Sequence, residues 1–168
     1  MGAAAFLVAY YVGASLKLTD NEATDLKKQF SQQIQGIDQY GIFLNNVRID
    51  LGMFIPAFGV GLGLYSGFST GMVFSALAKD SPLSSVSPLI IMLSPFGILE
   101  VFAYGLAMSR SGVLVYQLIK KKPWREYALP TAIEIGIAVA ILLIAAIIEW
   151  WLIVRFGGIS PGGNSPRI

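Results

Sequence analysis

From Ile135 to Ile148 the chain carries no polar side chain at all. A helix built from such a run is apolar all round, so it belongs either in a large core or in a bilayer. The run lies inside Thr131 to Phe156, which ends in Trp150, Trp151 and Arg155, the residue types that mark a membrane interface. Composition decides between the two settings. In 168 residues, 55% are hydrophobic and 13% charged, against about 25% charged in soluble domains. So few charges cannot clothe a water-facing surface. Inside a bilayer only helices and closed barrels satisfy their own backbone. The segment lengths here select an all-α, polytopic transmembrane bundle of about five hydrophobic segments, multi-pass in the cell membrane and in contact with the lipid bilayer.

There is no cysteine and no histidine. Disulfides, zinc fingers, haem ligation by Cys or His, thiol nucleophiles and Ser-His-Asp machinery are thereby excluded. A metal site would have to be built of oxygen alone, and no Asp/Glu cluster falls at helical spacing. The expectation is therefore no catalytic residue, no metal and no cofactor. The formal charge of +2, spread thinly, argues against a nucleic-acid partner.

One membrane domain, 1–156, is expected, with spans near 1–18, 42–78, 83–94, 96–119 and 130–156 and a flexible Gly/Pro/Ser-rich tail, 157–168. The first span is short. It reads as a membrane helix that begins flush with the bilayer face or continues a longer N-terminus. Residues 20–40 form the one long polar stretch, with Ala23, Leu26, Phe30, Ile34 and Ile37 at spacings of three and four behind a Thr19-x-x-Glu22 capping box. An amphipathic helix follows, lying on the bilayer or the bundle. The 42–78 block opens with Asn45, Asn46, Arg48 and Asp50 and contains Pro56. Gly59, Gly63, Gly67, Gly71 and Ser75 then fall four apart, so a helix would carry them as one ridge of small residues. Internal packing or self-association can use such a ridge. Further on, Ser94-Pro95-Phe96-Gly97 predicts a broken helix, while Pro130 suits the first turn of the last one.

The dense basic loop, 120–126, is expected in the cytoplasm by the positive-inside rule. The acid-rich segment 19–41 is expected outside, so three crossings are needed between Ile42 and Ile119.

The Asn45-Asn46 opening, the Gly63 to Gly71 stretch, Pro95-Phe96-Gly97-x-x-Glu100 and Ala145-Ala146-Ile147-Ile148-Glu149 together resemble, in order and spacing, the stage II sporulation protein M family of polytopic membrane proteins. The resemblance covers roughly Ile42 to Trp151. Where Ser66-Gly67 stands the family has Asn-Gly, and where Phe96 stands it has histidine, so any titrating role of that position is lost here. The resemblance implies a membrane component that recruits and holds other proteins, cell-wall hydrolases in the best-known members, without catalysis of its own.

Four charged residues fall in apolar context: Glu100, Arg110, Glu134 and Glu149. Each costs a few kcal/mol at the membrane centre, so each should face the bundle, a partner or the headgroups. Glu134 and Glu149 are about 60° apart on one helix and over about 20 Å apart along it, too far to share a metal. Glu134 can pair with Arg125 or a lysine, and Glu149, just before Trp150-Trp151, reads as an outer-interface residue or as the partner of Arg48. Glu100 follows the predicted break. It reads either as a structural acid held by Asn45, Asn46 or Arg110, or as part of a cation path built at a discontinuous helix. Two functions stand open on these residues. One is a non-catalytic scaffold or accessory subunit, partnered by other membrane subunits or by itself; the other is a small transporter or ion-conducting oligomer using Glu100.

Overall fold

A computed structural model describes residues 1–34, 38–79 and 87–156, and all of its regular structure is helical: α1 (Gly2–Ala14), α2 (Asp20–Ile34), α3 (Gln39–Met53), α4 (Phe58–Ala78), α5 (Pro88–Met92), α6 (Pro95–Ile119) and α7 (Arg125–Phe156). Of these α4, α6 and α7 are each long and apolar enough to cross a membrane. The tail 157–168 and the start of the expected 83–94 span lie outside the described residues.

Cross-helix contacts set the directions. Asn46 meets Glu100, and Ser111 meets Ile55, so α3 and α6 run the same way. Arg110 meets Glu134, whereas Glu149 lies near Glu100, so α7 runs against α6. Gly63 sits on Met108, Gly67 on Phe6 and Gly71 on Tyr10, which sets α4 against α6 and along α1. Thus α1, α3, α4, α6 and α7 alternate in direction. At 13 and 15 residues, α1 and α3 are only about 20 Å long, short of the roughly 30 Å hydrocarbon core.

The glycine ridge explains how α1 is held. Gly59, Gly63, Gly67 and Gly71 are all buried, and a methyl group on Gly71 would strike the Tyr10 carbonyl and the Ala14 amide. Gly13 of α1 is reciprocally closed by the Phe68 carbonyl of α4. Two backbones therefore touch where side chains would hold them apart, the small-residue mode of membrane helix packing. Phe6 and Tyr10 fill the flanks, with Phe6 tilted against Tyr104 at 5.3 Å and Tyr10 near Phe74 at 6.4 Å between ring centroids. Ser75, last on the ridge, donates its hydroxyl hydrogen to the Leu16 carbonyl at 2.7 Å, which satisfies the chain just past α1.

Several boundaries differ from the hydropathy reading. The 42–78 block is two helices. Pro56 disfavours helical geometry at Ile55, and the chain reverses through a γ-turn in which Phe58 N–H donates to the Pro56 carbonyl at 2.8 Å with Ala57 at φ 65°. The Ser111 hydroxyl pins this turn by donating to the Ile55 carbonyl at 2.7 Å. The amphipathic helix is described as far as Ile34, and the part of its expected stripe at Ile37 lies outside the described residues. Asp38 instead caps α3, its carboxylate accepting from Gly41 N–H at 2.8 Å. The last helix starts at Arg125, so Pro130 lies inside it rather than in its first turn. Thr131 covers the Tyr127 carbonyl at 2.7 Å. The expected break is present: Ser94 caps α6, its hydroxyl accepting from Gly97 N–H at 3.1 Å, with Pro95 in the first turn.

Helix α2 is attached to the end of α4. Thr19 and Glu22 close a reciprocal capping box, Thr19 N–H to Glu22 at 2.8 Å and Glu22 N–H to the Thr19 hydroxyl at 3.4 Å. Ala23 is buried, and Leu26 and Phe30 are half-buried. Lys79 then donates to the Leu18 carbonyl at 2.8 Å and pairs with Asp20 at 2.6 Å. At the other end of the bundle, past the level of Ser111, α6 continues to Ile119 and α7 returns from Arg125, joined by Lys120, Lys121 and Lys122.

Candidate functional site

The polar side chains of the bundle gather where α3, α6 and α7 meet, and helical spacing explains the gathering. Ile42, Asn46 and Asp50 are successive fourth residues on α3, one face of that helix; Glu100 and Tyr104 are so related on α6. The parallel course of α3 and α6 stacks these pairs in two layers.

In the first layer Asn46 Nδ2 donates to Glu100 Oε1 at 2.7 Å. Asn45 is exposed and donates to the Asn46 side-chain oxygen at 3.5 Å. Glu149 of α7 stands close enough to Glu100 to act on it electrostatically. Pro95 and Gly97 are not part of the layer: Pro95 is exposed and Gly97 is buried beside the Ser94 cap, so they shape the start of α6 one turn before Glu100.

The second layer contains Tyr104, 5% exposed, and Asp50, 0% exposed. All three carboxylates, Glu100, Asp50 and Glu149, lie within electrostatic range of the Tyr104 hydroxyl. Neither oxygen of Asp50 has a hydrogen-bond partner among the described residues.

A third layer, deeper along α6, holds Arg110 and Glu134. Nε of Arg110 donates to Glu134 Oε2 at 2.6 Å and Nη2 to Oε1, a bidentate pair. Arg110, not Arg125 or a lysine, is thus the partner of Glu134. Among the described residues there is no ion pair between Arg48 and Glu149, since Arg48 is exposed on the side of α3 away from Asp50. No group of three acidic side chains among them is placed to hold a metal ion.

The sequence reading missed Asp50, counting it with Asn45 and Arg48 as the polar opening of a span. The available signal was phase: Asp50 lies one helical turn past Asn46 and in line with Ile42, on the face that packs.

Outside the bundle, two carboxylates at its end are perturbed. The Lys79 ammonium, by hydrogen bond and charge, holds Asp20 below the usual carboxylate range. Hydrogen bonds from Thr19 do the same for Glu22.

In comparison with known proteins, the family model described as Stage II sporulation protein M matches residues 1–152. The match takes in α1 and α2 as well as the part from Ile42 onward that carries the motifs. No curated protein and no solved structure matches the chain.

Proposed function

The chain belongs to the stage II sporulation protein M family, and from that premise we propose that it is a non-catalytic membrane scaffold or accessory subunit, assembling with other membrane proteins or with itself. The observation that carries this reading is the free face of α7. Helix α4 has its ridge glycines closed against α1, α3 and α6, whereas α7 leaves Ala132, Gly136 and Ala140, four apart, exposed beside Ile133, Ile137 and Ile144. A methyl group on Gly136 would meet nothing within 4 Å. Another transmembrane helix can approach such a face closely. The bundle also carries unlike ends, α2 at one and the basic 120–126 loop at the other. With that loop in the cytoplasm, α2 faces outward from the cell membrane, its Asp25, Lys28, Gln29 and Gln32 exposed.

Mild-detergent extraction from the native membrane tests the reading. The expected result is migration as a complex with a co-purifying chain or second copy, dispersed by Gly136→Leu with the monomer intact. A lone monomer would refute it. Transport through Glu100 is the competing reading, and Glu100→Gln separates the two: proton- or cation-dependent flux in vesicles that this change abolishes would favour transport. Engagement of Glu100 by Asn46 favours a structural acid.

A further inference from the structure

Charge does not balance where α3, α6 and α7 meet. Asp50, Glu100 and Glu149 converge from three helices on Tyr104. Helices α1 and α4, the other walls of the bundle, carry no charged residue. Arg110 on α6 is taken up by both oxygens of Glu134, and Arg48 on α3 is exposed on the opposite side of its helix.

Asp50 is the extreme case. It has no exposed surface, and neither oxygen meets a donor among the described residues. Of the donors in the neighbouring layers, Asn46 gives one amide hydrogen to Glu100 and Ser111 gives its hydroxyl hydrogen to Ile55, and neither the Tyr104 hydroxyl nor the second Asn46 amide hydrogen is bonded to Asp50. Uncompensated, an ionised carboxylate so placed costs several kcal/mol. A positive charge must accompany it. The basic side chain of another protein cannot reach a group sealed between packed helices, but a small cation can. A divalent ion is a poor fit, since it asks for about six or more oxygens and no acidic triad is arranged for one.

We propose that Asp50, seated between α3, α6 and α7 beside Tyr104 and the Asn46–Glu100 pair, is the binding site of one exchangeable monovalent cation, a proton or a sodium ion. The site is independent of the assembly role: a scaffold can carry it without moving ions across the membrane.

The test uses the full chain in native membrane vesicles with dicyclohexylcarbodiimide. This reagent adds to a protonated carboxyl group and rearranges to a stable N-acylurea, which peptide mass spectrometry locates. Labelling at Asp50 is expected at acid pH, absent in Asp50→Asn. If sodium is the occupant, labelling falls as sodium replaces choline at fixed pH. If a proton is the occupant, labelling ignores sodium and falls about tenfold per pH unit above its midpoint. Infrared difference spectra of wild type against Asp50→Asn read the same carboxyl without reagent access. Two results overturn the proposal: a carboxyl that stays ionised, or one that stays protonated, from about pH 5 to about pH 9 whether or not sodium is present.

Discussion

The two sides of this bundle are held by opposite means. Where α1 meets α4 the contact is dry: glycines at 13, 67 and 71 bring backbones together, and the aromatic rings of Phe6, Tyr10 and Phe74 seal the edges. Where α3 meets α6 and α7, side-chain polarity runs through every layer, from Asn46–Glu100 past Asp50 to Arg110–Glu134. In a bilayer, lipid is as apolar as any core, so association rests on close packing or on polar contacts. The dry side uses the first and binds strongly without offering chemistry. The polar side uses the second and retains an acid, Asp50, with no hydrogen-bond partner among the described residues.

Substitution should separate the two. Gly71→Leu forces α1 off α4 because the Tyr10 carbonyl cannot yield, and a loss of about 3 kcal/mol is expected in detergent unfolding. Gly61→Ala on the same helix, where an added methyl meets nothing within 4 Å, should leave stability unchanged or raise it by about 0.5 kcal/mol.

On the polar side, Arg110→Gln leaves Glu134 partly buried and unpaired. The pair is only partly shielded, at 13% and 24% side-chain exposure, so a loss of about 2 kcal/mol is expected, below the range for fully buried pairs. The double change Arg110→Met with Glu134→Met should recover most of it, as a double-mutant cycle would show.

These contrasts were only partly legible in the sequence. Gly59 to Ser75 announced close packing through their spacing, and Ser94 to Gly97 announced a break through cap and proline chemistry. The turn at Pro56 passed unread because Phe54, Ile55 and Ala57 around it are apolar, with none of the Asn, Asp or Gly that mark turns in water. Pairing was legible only in part: Asn46 stood among the partners expected for Glu100, but that Glu134 takes Arg110 rather than Arg125 depends on how α6 and α7 register. Asp50 was hidden by its neighbours Arg48 and Asn45, which point away from the face it shares with Asn46.

Smaller effects sharpen the picture. Asn46→Ala removes the donor to Glu100 and should cost about 1 kcal/mol, whereas Glu100→Gln, able to hydrogen-bond with Asn46, should cost less. The smallest effect belongs to the end of the bundle. Asp20 is held below the usual carboxylate range by Lys79, so its contribution is present above the pKa of the unfolded chain. It is lost as pH falls through the lowered value. Acidification through that window should reduce amide-exchange protection in α2 while α4 and α6 stay protected, and high salt should shrink the effect because Asp20 is exposed.

The contrast between a dry side that holds the fold and a polar side that carries an unsatisfied acid is tested most directly by the thermal unfolding of purified Asp50→Asn beside wild type. Removing an unpartnered charge while keeping its shape should leave Tm unchanged or raise it by about 2–4 °C, and should abolish any dependence of Tm on sodium or pH that wild type owes to this group. A fall in Tm as large as that of Gly71→Leu would contradict the account, because Asp50 would then be a structural partner of the fold.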